Sequence, residues 1–155
     1  MRDADQAERT GQAVGGVETD RARAERLKEI IAEHGWPTID FVGRDAASAA
    51  WLIAQHADFD VAFQERALEL MREALADDQV DPVDVAYLKD RVAVNRGRPQ
   101  TYGTQILCMD GRPGPATPIE DAENVDARRN EVGLDPLEDY YVELEEACAA
   151  EAASP

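Results

Sequence analysis

Eight residues between positions 97 and 118 are glycine or proline: Gly97, Pro99, Gly103, Gly111, Pro113, Gly114, Pro115 and Pro118. Proline lacks a backbone donor and clashes with the preceding helical turn, and glycine loses the most conformational freedom on folding. No long helix can cross this stretch. Within it, Thr104–Met109 is the one apolar run. It predicts a strand that turns over Asp110-Gly111, with Thr117–Ile119 as its partner in a loose hairpin.

Both sides of the interruption read as helix. Leu27, Ile30, Ile31 and His34 recur at one-face spacing and predict a helix over about Arg21–His34, stopped by Gly35 and Pro37. Thr38–Gly43 follows as a short connector. A second helix opens at Asp45 or Ser48, buries Trp51, Leu52 and Ile53, and ends near His56. Asp58 or Asp60 caps a third, whose apolar face is Phe63, Ala67, Leu70, Met71 and Ala74, with Asp77 and Asp78 as the break. The fourth has the sharpest start: Asp81 as N-cap, Pro82 in the first helical position and Asp84 at the third, with Gly97 as its end. After the interruption, a helix over about Asp121–Val132 stops at Gly133. Asp135-Pro-Leu-Glu138 then opens a last one carrying Leu137, Tyr140, Tyr141 and Leu144.

The expected fold is therefore mainly α: an irregular bundle of about six helices with a Pro/Gly-rich loop or short β-hairpin around residues 98–118. Residues 1–20 are polar and lack an apolar period, and they read as a disordered extension. Residues 21–148 read as a single helical domain and 149–155 as a frayed tail.

Charge narrows the partners. There are 33 acidic against 16 basic residues, a formal net charge of -17. Affinity for phosphates comes from Lys and Arg releasing counterions, so nucleic acid and anionic lipid are disfavoured, and a cationic or neutral small molecule is easier to hold. No apolar run approaches the ~20 residues of a membrane span, and the first residues lack the basic start and apolar stretch of a secretory signal. The expected setting is cytoplasmic, with no membrane and no nucleic-acid partner. Two cysteines make no disulfide framework. Cys108, in the run Ile106–Met109, reads as a small core residue and Cys148 as an inert tail residue.

Histidine is scarce, with only His34 and His56. His56 ends a helix and is followed by Asp58 and Asp60. An imidazole titrates near neutral pH, and a neighbouring carboxylate can orient the ring or raise its pKa, so His56 with Asp58 or Asp60 is the leading acid/base candidate. The bland alternative is equally physical: a histidine suits the negative end of a helix dipole, and aspartates are the commonest caps. His56-Ala-Asp58 also has a His-x-carboxylate spacing known in iron sites, but the second histidine such a site needs is not placed by any metal-ligand spacing, so no metal or other cofactor is expected.

The loop Gln100–Gln105 brings two amides, two hydroxyls and the phenol of Tyr102 around Gly103, where backbone can approach a ligand closely. Tyr102 would help stabilise developing charge, and Gln100, Gly103, Thr104 and Gln105 would orient substrate. Alternatively the loop's side chains satisfy one another. Arg91, in the helix before the loop, is the candidate anchor for a substrate carboxylate, with Arg128 and Arg129 as further cations and ordinary ion pairing as the alternative.

Several linked segments carry a resemblance: Leu27–Pro37, Ala50–Asp58, Phe63-Gln64, Ala86–Val92, Gly97–Gln105, Pro118–Asp121, Val125–Arg129 and Val132–Leu134. Together they resemble the bacterial family catalogued as a domain of unknown function, number 6624, over about Arg21–Tyr141. The resemblance implies a small bacterial domain and makes His56 and the Tyr102–Gln105 loop motif positions. It implies no reaction. From the residues, the expected activity is metal-independent proton transfer on a small molecule at a His56-centred pocket, of hydrolase, lyase or isomerase type. The rival is a non-catalytic small-molecule-binding or protein-interaction domain with an acidic surface.

Overall fold

A computed structural model describes residues 16–154. The chain is mainly α-helical, with one short β-hairpin and one 3-10 turn among the described residues. It divides into two compact units, Met1–Leu88 and Lys89–Pro155.

The first unit holds α1 (Gly16–His34), the single turn α2 (Ile39–Val42), α3 (Arg44–Gln55), α4 (Val61–Leu75) and the first half of α5 (Pro82–Asn95). α3 packs against α1, α2 and α4. It can approach all three because its buried positions are mostly alanine: Ala47, Ala49, Ala50 and Ala54 lie beside Leu52 and Ile53. Leu27 from α1 and Phe63, Ala67, Leu68 and Met71 from α4 complete this core. Burial of that apolar surface, at roughly 25 cal/mol per Å², is its main stabilisation.

Helix starts follow local chemistry. The Asp60 carboxylate accepts the Phe63 N–H at 3.0 Å and caps α4. Asp81 accepts the Val83 N–H at 2.9 Å and caps α5 ahead of Pro82. Three details depart from expectation. α1 begins at Gly16, ahead of the apolar period, and Asp20 within it is buried. The remainder of the expected N-terminal extension, 1–15, lies outside the described residues. Thr38–Gly43 is not a plain connector but forms α2, with Val42 N–H bonded to Thr38 O. α3 starts at Arg44 directly after Gly43, which offers no side-chain cap.

The second unit holds the rest of α5, β1 (Ile106–Met109), β2 (Arg112–Pro115), the 3-10 turn Ala122–Asn124, α6 (Val125–Val132) and α7 (Leu137–Ala152). The hairpin is antiparallel, with Cys108 opposite Pro113 and Met109 opposite Arg112. It turns at Asp110 (φ 50) and Gly111 (φ 75), the two left-handed residues that match strand twist. Its second arm is Arg112–Pro115, not Thr117–Ile119. Pro113 and Pro115 are two apart, so their missing donors lie along one edge, which a two-stranded ribbon can leave unpaired. Ile119 instead makes an isolated bridge with Gln100.

α7 lies against both strands and α6. Its N-terminus sits one residue later than Asp135 would place it: the Leu137 N–H is taken by the Asp126 carboxylate of α6 at 2.8 Å. Cys108 and Cys148 are joined in a disulfide, which corrects their reading as unpaired residues. Forty residues separate them, and only the return of α7 over the hairpin makes them neighbours.

Candidate functional site

The His56 turn is built from the end of α3 and the start of α4. His56 is the C-cap residue just past α3, half-buried, its N–H bonded to Leu52 O at 3.1 Å. Asp58 is exposed. Asp60, besides capping α4, pairs with Lys28 of α1 at 2.7 Å. The Lys28 ammonium, with the Phe63 N–H, holds the Asp60 carboxyl below its ordinary value. In return Asp60, then Glu25, hold the Lys28 ammonium above its own. Arg21 lies over the Phe59 ring at 4.5 Å, so α1 grips this turn at two points.

Beneath the turn is Gln64, fully buried. Its amide donates to Ala54 O (3.1 Å), Gln55 O (3.2 Å) and Asp58 Oδ1 (3.2 Å). The Ala54 and Gln55 carbonyls belong to the last turn of α3, where regular helical N–H partners run out, and Ala54 O also accepts the Ala57 N–H at 3.1 Å. Asp58 and Asp60 are thus both tied to neighbouring structure. The other histidine, His34, is exposed beside Phe41.

In the second unit, Arg91, Gln100, Tyr102, Gly103, Thr104 and Gln105 do come together, around a residue that sequence reasoning passed over. Asp90 of α5 is 0 % exposed. Its carboxylate accepts the N–H groups of Thr101 (2.8 Å), Tyr102 (3.1 Å) and Thr104 (2.9 Å), and the Thr104 hydroxyl (2.9 Å). Charge-assisted bonds of this kind offset the cost of burying the charge. The loop's carbonyls are held from other elements. Arg129 donates to Tyr102 O at 2.8 Å and Asp135 O at 2.6 Å, Arg128 to Thr101 O at 2.9 Å and also to Glu120 O, and Tyr140 to Thr104 O at 2.9 Å.

The loop's own side chains do the same work. Gln100, fully buried, donates to Gln105 O and Thr117 O and accepts the Gln105 N–H at 2.9 Å. Gln105 Oε1 accepts from Arg91 at 3.0 Å, and its amide donates to the Thr104 hydroxyl. Gly103 has φ +67, and a Cβ there would stand 2.7 Å from Ile119 Cδ1. Arg91 and Arg129, candidates for holding a substrate anion, hold the loop's amide and backbone carbonyls. Tyr102 keeps a half-buried ring with the Lys89 ammonium 5.5 Å from its centre. The signal that could have revealed Asp90 is positional: α5 buries Val85, Ala86, Leu88 and Val92, and a carboxylate falling within that helix at Ala86 plus four needs buried donors.

The first unit also contains a cavity of about 240 Å³. Its floor is apolar: Ile39, Ala47, Met71 and Val80. Its polar groups are Arg44, Asp45, Ser48, Asp81 and Asp84, from the starts of α3 and α5. None of the expected site residues lines it. Among the described residues no group of three or more His, Cys, Asp or Glu is arranged to hold a metal ion, and no helix is long and apolar enough to cross a membrane.

No curated protein and no solved structure matches the chain. A family profile does, over residues 2–152, and so extends past the expected Arg21–Tyr141 at both ends. With that coverage the chain belongs to the family of unknown function DUF6624.

Proposed function

We propose that this protein is a small-molecule-binding domain whose ligand sits in the cavity of the first unit. The observation that carries the reading is the cavity itself: about 240 Å³, apolar below and polar at the helix starts above. Binding sites have this division, with apolar walls for affinity and a few polar groups for orientation. The volume suits a ligand smaller than a drug-sized molecule. A fragment screen read by amide NMR tests it. Hits should shift residues of α2, the start of α3 and the start of α5, and Ala47→Leu, which narrows the floor, should abolish them. Hits that leave those residues unmoved would overturn the reading.

A second reading, acid/base catalysis on a small molecule, is favoured by the half-buried His56 and the exposed Asp58 on one tight turn. It draws on the imidazole as the proton carrier. If the reading holds, His56→Gln removes turnover of any substrate found by screening while the thermal unfolding temperature stays within a few degrees. Full turnover by that variant would overturn it.

A further inference from the structure

We infer that the Cys108–Cys148 disulfide is a thiol-reversible latch: its reduction lifts the last turns of α7 off the hairpin while the Asp90-centred loop of the same unit stays folded. The first half of α7 is held without the bond. The Leu137 N–H is taken by the Asp126 carboxylate, and the Tyr140 hydroxyl donates to Thr104 O. Past Tyr141 the character changes. Among the described residues, no side chain of residues 142–152 makes a hydrogen bond or ion pair, and the fully buried side chain of the helix is Cys148. α7 carries Glu138, Asp139, Glu143, Glu145, Glu146 and Glu151 and no basic residue. Glu151 stands in its last turn, where a negative charge opposes the helix dipole.

The non-covalent contact under this end is shallow. A Cβ on Gly111 would lie 3.3 Å from Ala152 Cβ and 3.8 Å from Ala149 Cα, yet both alanines are exposed, and Leu144 is only half-buried. A helical end of so few residues is marginal in water on its own, so the disulfide decides whether it is seated. Leu107 and Met109 alternate with Cys108 along β1 and are 54 % and 56 % exposed. A lifted helix therefore leaves the hairpin open on both faces, and a bare two-stranded hairpin is itself marginal. The Asp90 loop draws instead on α5, Arg128, Arg129 and Tyr140, all of which precede the loosened end.

The opening chemistry is exchange with a dithiol. A thiolate of the reductant attacks Sγ of Cys108, which is half-buried, whereas Cys148 is 1 % exposed. The S–S bond breaks, and its electron pair leaves on Cys148 Sγ, which takes a proton. The reductant's second thiolate attacks its own sulfur in the mixed disulfide and releases Cys108 as a thiolate, which is protonated in turn. The reductant departs as a disulfide, having passed two electrons and two protons to the protein.

The test compares the full chain oxidised, reduced with dithiothreitol, and reoxidised with oxidised glutathione after the reductant is removed. Reduction should speed hydrogen exchange about tenfold or more over residues 144–152 and 106–115, while residues 101–105 and α6 stay within about twofold. Glutamyl endopeptidase should cut after Glu145 or Glu146 in the reduced chain alone, and reoxidation should restore both kinds of protection. Cys108→Ala with Cys148→Ala should show the open pattern from the start and ignore reductant. The reduced parent carries the same comparison without a substitution, should that variant not fold. An equal rise at residues 101–105 would make the bond a brace for the whole unit and overturn the latch. No rise over 144–152, or protection that does not return on reoxidation, would overturn it too. With 2-mercaptoethanol and an acid quench, the first mixed disulfide should map to Cys108; an adduct on Cys148 would overturn the assigned order of attack.

Discussion

Asp90 receives both donors of Thr104: the backbone N–H and the side-chain hydroxyl each lie 2.9 Å from Oδ2. One residue of the loop is thus clamped twice by one atom of the helix. The carbonyl of the same residue is taken by Tyr140, so Thr104 has little freedom to move unless several bonds break together.

Removal of the Asp90 carboxylate should therefore be costly. Asp90→Ala leaves three loop N–H groups and a hydroxyl without their acceptor, and each buried donor left unmade costs about 1–3 kcal/mol. Relaxation and water entry recover part of that, so a loss of about 3–5 kcal/mol is expected from urea unfolding. Asp90→Asn should lose nearly as much, because half of its amide presents donors to donors. A loss under about 1 kcal/mol for either variant would show that the loop does not depend on this carboxylate.

Gly103→Ala tests close approach in the same loop. The new Cβ would meet Ile119 Cδ1 at 2.7 Å and Leu137 Cδ1 at 3.2 Å, at a left-handed φ of +67. Backbone strain and crowding together predict a loss of about 2–4 kcal/mol. Adding Ile119→Ala should return some of the stability. If the double variant is weaker by the full sum of the two single losses, crowding is not the cause.

The Lys28–Asp60 pair gives a signed pH dependence. The Asp60 carboxyl lies below its ordinary 3.8, mainly through Lys28. Its contribution is present above that value and is lost as pH falls through the lowered one. The Lys28 ammonium lies above its ordinary 10.5, mainly through Asp60. Its contribution is present below 10.5 and is lost as pH rises past the raised value. Both side chains are 31 % exposed, so solvent screening holds the pair to about 0.2–1 kcal/mol. Asp60→Asn keeps a good helix cap and removes the pair. Stability curves of variant and parent should converge as pH falls through that lowered value, and equal separation at neutral pH and in strong acid would refute the linkage.

Reduction of Cys108–Cys148 should destabilise the protein. The loop between them spans 40 residues in sequence, for which the chain-entropy account gives about 4 kcal/mol. Cys148 is the one fully buried side chain of α7, so hydrogen exchange in α7 and the hairpin should rise most after dithiothreitol treatment. Identical unfolding curves with and without reductant would mean the bond does not brace this unit.

The helices were readable because their signals are local. Asp81-Pro82, Asp60 and the 63, 67, 71 stripe each specify an end or a face within one or two turns, and all appear where expected. The hairpin's turn was readable for the same reason, since Asp110-Gly111 supplies two left-handed residues. Its second arm was misplaced because prolines argue against a strand unless it has a free edge, and edges are a property of the whole sheet. The disulfide and the Asp126 cap on Leu137 join residues 40 and 11 apart, beyond any local period. In the loop, polarity was visible but its purpose was not: Gln100, Thr104 and Gln105 look the same whether they await a ligand or bond each other. The cavity could not be foreseen, because Ile39, Asp45, Met71 and Asp81 come from four separate segments.

The bond between Cys108 and Cys148 has a further consequence for the molecule when it is not folded. Oxidised, the denatured chain is a lariat: a closed ring from 108 to 148, with a tail of 107 residues on one side and a stub of seven on the other. Asp90 and the Thr104 it clamps both lie on the long tail, eighteen and four residues before the ring. The ring keeps β1 near the end of α7 in every unfolded conformation, so the hairpin and its covering helix begin refolding as neighbours, while the Asp90 clamp must be found by search.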